Sequence, residues 1–247
     1  MNLVKILLVK EFLILKNFLI SFLLIICLMP LLLYLFISIP LSMIILNTKP
    51  VYINLSASGI WIVSTLFLVF IYASNIINKN IKSDSFLALP INSWQLLISK
   101  NIFLIFLGFM QLLFSILLTS TINQDYISFL NILVILFLFL PNIVTISSIS
   151  IIINFYFSNK LYKIIIKIII FMVISFGYGS FIPLNYFPDE YFKFINLFPV
   201  PGLVVNSQKI ISGESIMFSY FLISIFVSIC MFFISLFILD KKMIKDI

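Results

Sequence analysis

Asn78-Lys-Asn-Ile-Lys-Ser-Asp-Ser-Phe-Leu-Ala-Leu-Pro-Ile-Asn-Ser-Trp-Gln-Leu-Leu-Ile-Ser-Lys100 is a lysine-bracketed polar segment set between two long apolar runs. Lys79 and Lys82 stand at its start and Lys100 at its end. Upstream the chain is apolar from about Ile60 to Ile77, and downstream from about Asn101 to Leu118. Each run approaches the roughly 20 residues that a helix needs to cross a bilayer. A segment of this kind is a surface loop that joins two membrane crossings.

Working outward, the arrangement repeats. Lys5, Lys10 and Lys16 precede another apolar run; Lys160, Lys163 and Lys167 follow a later pair; Lys241, Lys242 and Lys245 come near the end. Room for two crossings separates each cluster from the next, so all four reach one side of a membrane. Only Lys49, Lys193 and Lys209 remain for the other side. Lysine excess marks the cytoplasmic face. The expectation is an all-α, multi-pass protein of the bacterial cytoplasmic (inner) membrane with both termini cytoplasmic. Six spans are predicted: about Phe18 to Ile39, Ile60 to Ile77, Asn101 to Leu118, Phe129 to Ile153, Ile164 to Ile182 and Ile216 to Leu239. No soluble stretch exceeds about 30 residues, so 1–247 reads as one membrane domain.

Composition narrows the chemistry. The chain is 63% hydrophobic and 9% charged, against about 25% charged in soluble domains. Mean hydropathy is +1.29. Arg and His are both absent, so no imidazole serves as base, proton relay or metal ligand. The predicted spans hold no Asp, Glu or His, which leaves paired-aspartate, zinc and Ser-His chemistry without residues. No catalytic residue, metal site or cofactor is expected. Net charge is +7, but its one-sided placement serves orientation and headgroup attraction rather than nucleic-acid binding. Cys27 and Cys230 fall within spans and read as small buried hydrophobes. The N-terminal apolar stretch is long enough to cross and lacks a cleavage motif.

Three segments do more than cross. In 1–17, Lys5, Lys10 and Lys16 share one arc of a helical wheel, while Glu11 lies off it. This reads as an interfacial helix on the cytoplasmic leaflet; the simpler alternative is a lysine-anchored extension of the first span. In 79–99, Ser83 and Asp84 cap a short helix over Phe86 to Leu89 that Pro90 stops, and Asn92 or Ser93 caps the next. That short helix suits docking onto another protein or, equally, resting on lipid with Trp94 as headgroup anchor. In 185–213, Pro188 at the first helical position with Asp189 and Glu190 opens a helix that Pro199 and Pro201 end. A second short segment from Leu203 to Ile211 leads back. Too broken to span and too apolar for water, this region is expected to dip into the outer leaflet.

Together these features resemble the membrane subunit of ABC-2-type ABC transporters. The resemblance rests on Lys10-Glu11-Phe12 in the interfacial helix and on Ser58-Gly59-Ile60 opening the second span. It rests also on Asp84 followed by Leu87-Ala88-Leu89-Pro90-Ile91-Asn92 and Lys100, and on Phe181-Ile182-Pro183 with Pro188 and Phe198-Pro199. Ile81-Lys82 stands where relatives often have Gly-Thr, and Asn92 where Ser or Thr is common. The resemblance implies a second permease subunit, identical or not, and two copies of a cytoplasmic ABC ATPase. Ser83, Asp84, Phe86, Leu87 and Pro90 would receive the ATPases, the interfacial helix would move with them, and Pro183 to Pro201 would shape the exit. No glycine of this chain is placed for a Walker loop, so ATP hydrolysis is expected in the partner.

Rival readings leave traces too. Gly177-Tyr178-Gly179 has the tripeptide of potassium filters, yet no pore-helix-like segment precedes it. An ion-coupled transporter would show a midplane charge and an internal repeat, and neither is seen; an accessory subunit of another complex stays open. Nearly uncharged spans suit hydrophobic, amphipathic or peptide-like cargo. Ser64, Thr65, Gln111, Asn142, Thr145 and Ser148 fit helix-to-helix hydrogen bonding, and Asn142 after Pro141 could instead line a path.

Overall fold

A computed structural model describes residues 3–45, 52–81, 92–124, 127–157 and 159–245. Helices form α1 (Leu3–Asn17), α2 (Leu19–Ile44), α3 (Tyr52–Ile81), α4 (Ser93–Asn123) and α5 (Phe129–Tyr156). They continue as α6 (Lys160–Met172), α7 (Asp189–Ile195), α8 (Pro199–Ile211) and α9 (Phe218–Lys245). No strand occurs among the described residues. Five helices are long and apolar enough to cross a membrane: α2, α3, α4, α5 and α9. The chain is therefore built as a multi-pass membrane protein.

α3 is the axis of the bundle. It packs against α4, α5, α8 and α2, and Ile60, Trp61, Ile62, Val63, Leu66, Val69 and Phe70 are all buried. Small side chains let its neighbours approach: Ser56, Ala57, Ser58, Ser64 and Thr65 are buried on the same helix. Lipid supplies no hydrophobic drive between helices, so close fit of this kind holds them. α2, α6 and α9 turn apolar residues outward, among them Ile20, Phe36, Ile168, Phe226 and Phe237.

Prolines shape α2. Pro40 has no N–H and crowds the carbonyl one turn before it, and the helix widens into a π turn at Tyr34–Ser38. Pro30 leaves the Ile26 carbonyl without its helical donor; Gln111 of α4 supplies one, Nε2 to O, at 3.3 Å.

The apolar run at 164–182 is not one uninterrupted helix. α6 continues as a π turn over Val173–Gly177, and the chain then bends, with Gly179 at φ 84°. α6 also carries Lys160, Lys163 and Lys167, and it is not among the five long apolar helices. Pro188 sits just outside α7, at φ −58° and ψ 146°, rather than at its first helical position. α7 stops at Ile195, before any proline. Pro199 and Pro201 lie in the first turn of α8, where a missing N–H costs nothing, so they start a helix rather than end one.

Candidate functional site

One end of the bundle gathers α1, the start of α4 and the far ends of α5 and α9. Leu7, Leu96 and Leu239 form a buried cluster with Phe155 packed on it. Leu97 and Ile151 form a second, against Phe155, Phe232 and Leu236. The two extremities of the described chain thus meet. Polar clamps bind the same region: Ser93 Oγ donates to Asp240 Oδ1, Ser147 Oγ donates to Asn101 Oδ1, and Ser150 Oγ donates to the Phe70 carbonyl at 2.8 Å. Lys5, Lys10, Lys100, Lys163 and Lys241 all belong to segments at this end, whereas Lys193 and Lys209 belong to segments at the other.

α1 lies along α4. Leu7 meets Leu96, and five residues later Phe12 sets its ring edge-on to Phe103 at 5.3 Å and to Phe106 at 5.1 Å. α1 therefore climbs beside α4 and is separated from α2 by a break at Phe18. Lys5 and Lys16 are exposed and Lys10 is half-buried, as the polar arc implies. Glu11, off that arc, is turned inward and is 5% exposed.

Opposite α1, Lys100 is 3% exposed and its Nζ has no hydrogen-bond partner among the described residues. Glu11 and Lys10 of α1 are its charged neighbours across the seam, one of each sign. Removing an ammonium from water costs several kcal/mol, and attraction across this seam offsets part of that. The seam thus sets two buried groups of opposite charge, Glu11 and Lys100, on facing helices. Sequence reasoning valued Lys100 as a pattern residue; Glu11 lying off the polar arc was the signal that it faces protein.

The expected docking residues Ser83, Asp84, Phe86, Leu87 and Pro90 lie outside the described residues. α3 runs to Ile81 and α4 begins at Ser93. Asn92 precedes α4 without a side-chain cap bond. Trp94, expected as a headgroup anchor, packs its ring edge-on to Phe232 at 5.3 Å while remaining half-exposed.

The external residues gather at the opposite end. Pro183 precedes a 3₁₀ turn at Leu184–Tyr186, and Asp189 and Glu190 are exposed in the first turn of α7. Tyr52 donates its hydroxyl to the Phe181 carbonyl at 2.6 Å, and Tyr191 donates to the Gly177 carbonyl at 3.1 Å. A filter glycine would keep that carbonyl for an ion. Pro199 and Pro201 are buried, with most of α8, against α3, α5 and α9. These external residues lie at the end of the bundle opposite the start of α4.

Between the ends runs a seam of neutral polar contacts. Trp61 Nε1 donates to Thr119 Oγ1 at 2.8 Å, and the Ser64 and Ser115 hydroxyls lie 2.9 Å apart. Asn142 and Thr145 bond carbonyls of their own helix at 3.2 and 2.9 Å, and Thr65 Oγ1 and Ser148 Oγ have no partner among the described residues. Among the described residues no group of His, Cys, Asp and Glu is placed to hold a metal ion. Comparison of the chain with protein-family models, with curated proteins and with solved structures found no match.

Proposed function

We propose that this chain is the membrane-spanning subunit of an ABC-2-type transporter, driven by a separate cytoplasmic ATPase. The observation that carries the reading is the buried Glu11–Lys100 seam. A load applied to the segment between Ile81 and Ser93 reaches α3 and α4 directly, and the seam and the Leu7–Leu96–Leu239 cluster hand it on to α1 and α9. One face of the bundle is thereby mechanically joined to a lysine-rich surface, the arrangement that a motor docked beneath it requires.

On this reading the lysine-rich end is cytoplasmic. α6 with its π turn makes a sixth crossing, its lysines snorkelling to the inner interface. α7 rests in the outer leaflet through Tyr191 and Phe194. Two ATPase copies and a second permease subunit complete the assembly, in a bacterial cytoplasmic membrane. The cargo is hydrophobic, amphipathic or peptide-like and moves outward.

The test is a variant carrying Asp84→Lys and Leu87→Glu. It is expected to lose a co-purifying ATPase while keeping the wild-type gel-filtration profile. A variant that keeps the ATPase would remove the docking segment from the account.

A further inference from the structure

At the end of the bundle opposite the Glu11–Lys100 seam lies a cavity of about 280 Å³, walled by α3, α4, α5 and α8. Its polar wall is made of carboxamides from three helices: Asn54, Asn123 and Asn131. Trp61 and Thr119 close one side, bonded to each other. Ile127, Ile210 and Ile211 make the apolar wall. Among the described residues no charged side chain lines it.

We propose that this cavity binds a neutral, amide-bearing ligand: a peptide segment with an apolar side chain. Asn123 Oδ1 already accepts the Tyr34 hydroxyl at 3.0 Å, which leaves its Nδ2 as a donor. The side chains of Asn54 and Asn131 make no hydrogen bond with the described residues, and both are half-buried. Each carries a donor and an acceptor. That set matches a peptide group, which has one of each and no charge. This chain already uses the same pairing: Asn206 of α8 donates Nδ2 to the Met217 carbonyl at 3.1 Å and accepts the Met217 N–H at 2.8 Å. Carboxamides half-removed from water reward a ligand that satisfies them and penalise one that does not. The isoleucines add burial for an aliphatic side chain, so amide and side chain are both needed. This inference does not rest on the ATPase reading and fails or stands separately from it.

The chain has two tryptophans, Trp61 and Trp94. In a Trp94→Phe background the emission of Trp61 reports on the cavity alone. Titration of the detergent-solubilised protein with N-acetyl-leucinamide is expected to give a saturable change. Asn54→Leu and Asn131→Leu should each weaken it by about tenfold, equal to about 1.4 kcal/mol. Ile210→Phe in the same background, which fills the cavity from its apolar wall, should also abolish the saturable Trp61 response to the amide. N-acetylglucosamine and 4-methylpentanol, which offer hydroxyls or an alkyl chain without this combination, should leave the Trp94→Phe protein unchanged. Saturable binding of either control as tight as the amide, no saturable response to the amide, or a response untouched by the asparagine variants would overturn the proposal. Should an asparagine variant unfold, the comparison among the three probes on the Trp94→Phe protein decides it.

Discussion

Gln111 of α4 donates its Nε2 hydrogen to the carbonyl of Ile26 on α2, the carbonyl that Pro30 leaves without a helical donor. Both residues are buried. An orphaned carbonyl there costs about 1–3 kcal/mol. Gln111→Leu is therefore expected to lower the thermal midpoint in detergent by several degrees. Pro30→Ala restores the helix's own bond and should make Gln111→Leu nearly silent. A double-mutant cycle checks this: the two effects must be non-additive, and simple addition would separate Gln111 from Pro30.

Gly59 and Ser180 touch backbone to backbone. A Cβ at Gly59 would stand 2.0 Å from the Ser180 carbonyl oxygen, so the bend after α6 would have to leave α3. Gly59→Ala should cost about 1–3 kcal/mol or prevent folding. Gly177→Ala meets only ordinary contacts, the nearest at 3.4 Å, and should be tolerated. Equal thermal midpoints for the two variants would refute this contact.

Glu11 and Lys100 give a sign test. Glu11→Gln removes the acidic group beside buried Lys100 and leaves Lys10 as its charged neighbour. A lower thermal midpoint is expected. Adding Lys100→Met to that variant removes the uncompensated charge, and most of the lost stability should return. Thermal unfolding of the three variants reads it; a double variant no more stable than Glu11→Gln would contradict the pairing.

Topology follows from the shared end. With Cys27 and Cys230 replaced by Ala, Lys5→Cys and Lys241→Cys should react with an impermeant maleimide from the same side of sealed vesicles. Lys193→Cys should react only from the other. Labelling of Lys5→Cys and Lys241→Cys from opposite faces would break the account of both lysine placement and the Leu7–Leu239 contact.

Much of this architecture was legible because a membrane crossing needs a long apolar run, and such runs survive any detail of packing. Local backbone chemistry was harder to read. The run through Gly177-Tyr178-Gly179 is apolar throughout, yet Gly179 turns the chain at positive φ, and hydropathy is blind to that. Pro199 and Pro201 read as terminators when they open α8, because a proline stops one helix and starts another with the same geometry. α8 was expected in the outer leaflet; it is packed mainly on protein, and only its neighbours in space decide that. Glu11 was visible as a residue off the polar arc, while Lys100 as its counterpart required knowing that α1 lies on α4. The cavity was not legible at all: Asn54, Asn123 and Asn131 are far apart in sequence and meet only in the folded bundle.

The most direct measurement is isolation of the tagged wild-type protein from its native membrane in mild detergent, with every co-purifying chain identified and its stoichiometry determined. An ABC ATPase present at one copy per membrane subunit, with ATP hydrolysis that survives in the complex, is the predicted result. A complex that contains no ATPase, under conditions where known membrane complexes remain intact, would contradict the proposed function.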